Sequence, residues 1–190
     1  MIESHDRIPV MNMKRIAVVA LGNVATIIPK VVAAHISGYL SLPAETLIPL
    51  KLPRQALDKG RRQYNAALLL QTLEKQVFEE WRKVVALLDV DLFIPIFTHV
   101  FGESRQGGRI ALVSLYRLRC HPDGSQPNSA LLYERAAKIA LHELGHLFDL
   151  RHCEDPFCLM HFSGGLEDLD RTPIQHCRYC HTYMRDAIQS

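Results

Sequence analysis

The chain has 190 residues, 48% hydrophobic and 22% charged, with a formal net charge of +2. That length allows one sizeable domain, or a domain with a small appendage, and no more. The near-neutral balance gives neither a nucleic-acid footprint nor a bias toward acidic substrates.

Residues 1–13 read as a loose N-terminal extension, and residues 14–190 as one domain. Lys14-Arg15 ahead of the apolar run Ile16 to Pro29 could imitate a leader peptide. The run is too short to span a bilayer, is broken by Gly22-Asn23, and lacks a clear cleavage site. The simpler reading is a buried strand, Arg15–Ala20, and a helix, Thr26–Leu40, with Pro29 near its start where proline is tolerated. A cytoplasmic protein with no membrane or nucleic-acid partner is expected.

Thr46–Leu52 reads as a strand between Pro43 and Pro53, and Leu57–Trp81 as a long amphipathic helix. Val84–Leu88 is a strand or buried run, and Asp89-Val90-Asp91 turns into Leu92–Ile96. Residues 102–108 read as a loop, Ile110–Leu118 as a strand, and His121–Asn128 as a second loop. Asn128 or Ser129 then caps a helix from about Ala130 to Asp149. Alternating strands and helices predict an α/β (α+β) layered structure. From Leu150 onward the chain is loop-rich, so a subdomain boundary is expected between 149 and 150.

The chemistry sits at the end of the last helix. His142 and His146 are four apart and share one helix face, as two imidazole ligands of a tetrahedral zinc require. Glu143 lies about 100° around the helix from His142, beside the metal rather than on it. There it can serve as general base to an activated water, then as acid to the leaving amine. His-Glu-x-x-His on a helix is a zinc-peptidase signature for that reason. His152 is the third candidate ligand: a continuing helix would carry it to the far side, so the helix must end near Asp149.

Five cysteines are present, four of them in the C-terminal segment: Cys153, Cys158, Cys177 and Cys180. Four thiolates in two short-spaced pairs suit a closed structural zinc site, which would supply folding energy to a loop-rich segment. Two disulfides or free thiols are the plainer alternative. Cys120 stands apart, as a buried thiol or a loop residue.

His142, Glu143, His146 and His152 together resemble the metzincin motif H-E-x-x-H-x-x-G-x-x-H, with Asp149 where the family has glycine. Aspartate is among the residues that best tolerate the left-handed turn this glycine permits. The continuation, with Cys153, Cys158, Met160 and then Cys177-x-x-Cys180, resembles the archaemetzincins. So do Arg62-Gln63-Tyr64-Asn65, Asp91-Leu92-Phe93, Phe101-Gly102, and Val113-Ser114 before Arg117-Leu118. The resemblance implies a compact metzincin domain, with a twisted mixed sheet and an active-site helix below an edge strand. It further implies a Met-turn at Met160, a catalytic zinc on the three histidines, and a structural zinc on Cys153, Cys158, Cys177 and Cys180. Ile110–Leu115 is the candidate edge strand.

His161, His176 and His181 read as ordinary loop histidines, and Tyr179 and Tyr183 as tyrosines that could reach a transition-state oxyanion. The expected function is a zinc metallopeptidase, an aminopeptidase or small endopeptidase acting on a peptide or protein substrate. The alternative is a non-catalytic two-zinc protein whose histidine site is vestigial, with Asp149 as the feature that favours it.

Overall fold

The computed structural model describes residues 15–76, 78, 80–120, 125 and 127–190; the expected N-terminal extension and most of the 121–128 loop lie outside them. The elements, in order, are β1 (Ile16–Leu21), α1 (Ile27–Leu40), β2 (Ala44–Thr46), β3 (Leu57–Asp58), β4 (Gln63–Asn65) and α2 (Ala66–Leu73). They continue with β5 (Lys83–Leu88), β6 (Leu92–Ile94), β7 (Phe97–Val100), β8 (Gly102–Ser104) and β9 (Ile110–Ser114). The chain closes with α3 (Ser129–Leu147), α4 (Leu166–Arg171) and α5 (Arg178–Gln189). The main sheet has the order β2-β1-β5-β9-β8, and a smaller sheet the order β3-β4-β6-β7. In the main sheet only β8 is antiparallel to its neighbour. This is the expected layered α/β architecture with mixed sheets.

The central strands are apolar on both faces because each face meets a layer. Along β1, Ile16, Val18 and Ala20 join one core with α1 and α3, while Ala17, Val19 and Leu21 join another with α2. β5 divides in the same way, Val85 and Leu87 against Val84, Ala86 and Leu88. A period of two puts neighbours on opposite faces, so continuous burial means two covered faces. The first core also contains Cys158, Leu159, Met160, Leu169 and Met184, so the C-terminal segment packs against α1 and α3.

Several expected elements differ. Leu57–Trp81 is not one helix. Arg61 N–H donates to Asp58 Oδ1 (2.9 Å) and Arg62 turns left-handed (φ 57°), closing the β3–β4 hairpin. Asn65 then caps α2, accepting from Leu68 N–H (3.2 Å). The strand expected over Thr46–Leu52 ends at Thr46, three residues before Pro49, and rejoins β1 only through a single bridge at Leu50. Ile110–Leu118 stops at Ser114 and closes with a 3-10 turn at Arg117–Arg119. The edge strand is β8, within the segment read as a loop. Ile110–Ser114 is an interior strand, bonded to β5 on one side and β8 on the other.

Helix α3 carries the histidine motif and is fixed by buried cations. Arg135 is fully buried, gripping Asp170 of α4 through both oxygens (2.7 Å each) and donating to Leu118 and Cys120 carbonyls (2.9 Å each). Lys138 donates to the Leu169 carbonyl (3.0 Å) and pairs with Glu134 (2.7 Å). Replacing Arg135 with methionine leaves Asp170 and two carbonyls unpaired. Urea unfolding of that variant is expected to show a loss of about 3 kcal/mol.

Candidate active site

Asn128 begins α3 by accepting from Leu131 N–H (2.9 Å), and the helix delivers His142 and His146 to one face. It ends as its sequence requires. Asp149 takes the left-handed conformation (φ 67°). Its N–H donates to the His146 carbonyl (3.0 Å), and Leu150 N–H to the Gly145 carbonyl (2.9 Å). This reversal turns His152 back over the helix.

The three imidazoles converge. His146 Nε2 lies 3.1 Å from His142 Nε2 and 3.3 Å from His152 Nε2. A tetrahedral zinc with nitrogen ligands would hold them about 3.3 Å apart. Two of the tautomers are set by the backbone: His142 Nδ1 lies 2.8 Å from the Leu159 carbonyl, and His146 Nδ1 2.8 Å from the Leu150 carbonyl. A carbonyl can only accept, so each Nδ1 carries the proton and each Nε2 lone pair is free for a metal. Burial pushes all three imidazoles below their ordinary pKa, which favours the neutral, ligating form.

Glu143 is buried beside the cluster. Ser104 of β8 donates its hydroxyl to Glu143 Oε2 at 2.6 Å. The other oxygen lies so close to Gly102 that a Cβ there would sit 2.6 Å from Oε1. Only glycine allows the edge strand this approach. Burial pushes the Glu143 carboxyl up, against the opposing pull of His146 and the Ser104 hydroxyl.

Met160 is fully buried beneath α3, its thioether directly under Gly145. A Cβ at Gly145 would lie 2.9 Å from Met160 Cε, so any side chain there would force the buried thioether to shift. The four cysteines form a second cluster, with all four sulfurs within 4.8 Å of one another. Cys153 and Cys177 sulfurs are 3.8 Å apart. That is far beyond a disulfide bond and close to the roughly 3.8 Å between thiolates on a tetrahedral zinc. Both donor sets therefore fit a metal.

A cleft of about 570 Å³ opens over the histidines and Glu143. Apolar walls come from Ile139, Leu159 and Leu169, with Phe97 and Phe162 at 6.2 Å between ring centres. Phe162 also meets His152 edge-on at 5.4 Å. Glu103 lines the cleft too. Sequence reasoning missed Gly102, Glu103 and Ser104 because a three-residue strand carries no readable period. Tyr179 and Tyr183 are exposed on α5, at 78% and 72%, and neither lines the cleft. His161 Nδ1 instead bonds the Cys153 carbonyl (2.9 Å), and His176 packs edge-on against Tyr39. Cys120 is an exposed free thiol.

The profile of Peptidase family M54 matches residues 19–186. The archaemetzincin of Methanopyrus kandleri is 40% identical over 146 residues, covering 77% of this chain and 79% of its own length. The archaemetzincin of Pyrococcus horikoshii is also 40% identical, over 66% of this chain and 67% of its own. The crystal structure of the M. kandleri protein superposes with a TM-score of 0.81 at 33% identity, over 97% of this chain and 100% of that one. A zinc-dependent peptidase from Methanocorpusculum labreanum gives a TM-score of 0.80 at 26% identity, over 89% of this chain and 99% of that one. Matched by profile over residues 19–186, by sequence over about three quarters of its length and by fold over 97% of it, the chain belongs to peptidase family M54, the archaemetzincins.

Proposed function

We propose that the protein is a zinc metallopeptidase holding two zincs, one on His142, His146 and His152 and one on Cys153, Cys158, Cys177 and Cys180. The observation that carries this reading is the convergence of three Nε2 atoms, two with carbonyl-fixed tautomers, beside a buried carboxylate. His142, His146 and His152 would hold the zinc, which when bound would supply Lewis-acid chemistry to the scissile carbonyl and the attacking water. Peptide hydrolysis also needs that water's proton removed and the leaving amine protonated. Glu143 does both: Ser104 occupies Oε2, leaving Oε1 to accept the proton and hand it on.

Substrate alignment falls to β8. Ser114 N–H donates to the Phe101 carbonyl (2.8 Å), so Phe101 and Glu103 point their backbone groups into the sheet. Gly102 and Ser104 point theirs to the open edge, where an extended peptide can add as a strand. This replaces Ile110–Leu115 as the aligning strand. Asp149 does not favour a vestigial site, since it forms the turn that glycine would form and leaves the three histidines converged.

Glu143→Gln is expected to retain zinc by elemental analysis yet lose about 10²–10⁴-fold in turnover of a peptide library. Chelation of wild-type protein is expected to abolish cleavage. A glutamine variant with full turnover would refute the mechanism.

Glu103 yields a pH prediction. Burial, reinforced by the neighbouring Glu143, raises its carboxyl to about 7. A raised carboxyl favours folding fully below its unfolded value, and that benefit is lost as pH rises through about 7. Metal-free Glu103→Gln is therefore expected to exceed the parent in stability by about 2 kcal/mol at pH 8, and by little near pH 4. Denaturant melts at the two pH values read this directly.

A further inference from the structure

We propose that a second depression, built by Arg61, Arg62 and Arg117 beside the cleft, is an exosite for a carboxylate of the peptide substrate on the C-terminal side of the scissile bond. The inference rests on the peptidase reading and deepens it by naming a substrate class.

The depression has a volume of about 560 Å³ and is lined by the three arginines with Gln63, Asp91, Thr98 and Tyr116. Its one carboxylate is already committed. Asp91 accepts from Arg117 through both oxygens (2.7 and 2.8 Å) and from Gln63 Nε2 (2.8 Å). Arg61 stacks over Phe93 at 4.6 Å, and neither Arg61 nor Arg62 forms an ion pair among the described residues. Two of the three lining arginines thus carry a charge that no carboxylate balances among the described residues. Arg62 is held left-handed (φ 57°), a conformation rare for a residue of its type and one that recurs at functional sites. Planar guanidinium forks match carboxylates bidentately.

Position ties the depression to the cleft. Thr98 lines both. Gln63 Nε2 also donates to the Thr98 carbonyl (2.9 Å), fixing the depression's floor to β7. A peptide adding antiparallel to β8, the more stable pairing, runs from Ser104 toward Gly102. Its C-terminal side then leaves the cleft toward β7, which precedes β8 in the chain. An acidic side chain or the terminal carboxylate of that part of the peptide would meet the arginines.

The test uses matched peptides, ending in a free carboxylate or an amide, and carrying Asp or Asn after the scissile bond. Zinc-loaded wild type gives kcat/KM for each, and zinc-loaded Glu143→Gln gives affinities by fluorescence anisotropy. The charged member of a pair is expected to be favoured about tenfold in both measurements, less so at high salt. The ratio is expected to approach one in Arg61→Gln/Arg62→Asn; asparagine tolerates the left-handed backbone. Arg117 is left in place because its loss would strand Asp91. Equal binding of both members to the protein with intact arginines overturns the exosite even if the double variant fails to fold, as does a ratio unchanged in a folded double variant. Charge-dependent binding without cleavage of any peptide overturns the peptidase reading instead.

Discussion

At Asp149 the chain takes a left-handed conformation directly after α3, and the geometry of both donor clusters follows from that one residue. Two bonds pin the reversal, from Asp149 N–H to the His146 carbonyl and from Leu150 N–H to the Gly145 carbonyl. Had the helix continued, His152 would stand on its far side and Cys153 beyond reach of the other thiols. With the turn, the Leu150 carbonyl fixes the tautomer of His146, and His152 closes the triad. The residue costs roughly 1 kcal/mol relative to glycine there, a small term against the ligand geometry it creates.

Three consecutive residues couple the two clusters. Cys158 contributes a sulfur to the thiol site, the Leu159 carbonyl orients His142, and Met160 packs beneath Gly145. The Met160 carbonyl in turn accepts from Cys153 N–H (2.8 Å). A metal on the cysteines would therefore stiffen the segment that sets both the tautomer of His142 and the floor under the histidine helix. That bracing would add to the core contacts that already bury Leu159 and Met160 against α3. The thiol cluster supports the histidine cluster through the backbone, with no side chain shared between them.

The histidines, Glu143, Met160 and the cysteines were legible in the sequence because their chemistry fixes residue type and spacing together. Asp149 was legible as a turn for the same reason, since few residues tolerate its conformation. The edge strand was not. Gly102-Glu103-Ser104 is too short for a period, and its role depends on close approach to Glu143, a contact between segments 39 to 41 residues apart in number. The misread helix over Leu57–Trp81 fails differently. Its leucines satisfy a helical period, yet Gly60 and Asn65 are turn and cap residues that split it into hairpin and helix. Periodicity registers burial on a face and is blind to where the backbone must stop.

The burial around Glu143 bears on why the site is built as it is. A carboxylate removed from water beside three neutral imidazoles is held in an unfavourable state. Ser104 offsets part of that with one hydrogen bond, and Gly102 admits no side chain that could offer another. A divalent cation on the histidines would favour the ionised form at short range, in a medium where charges are weakly screened. The same burial that keeps the imidazoles neutral for the metal thus raises the basicity of the carboxylate next to it. On the proposed function, one desolvated pocket would prepare both the ligands and the base, and the edge strand that covers Glu143 would also offer the open backbone of Gly102 and Ser104 to a peptide.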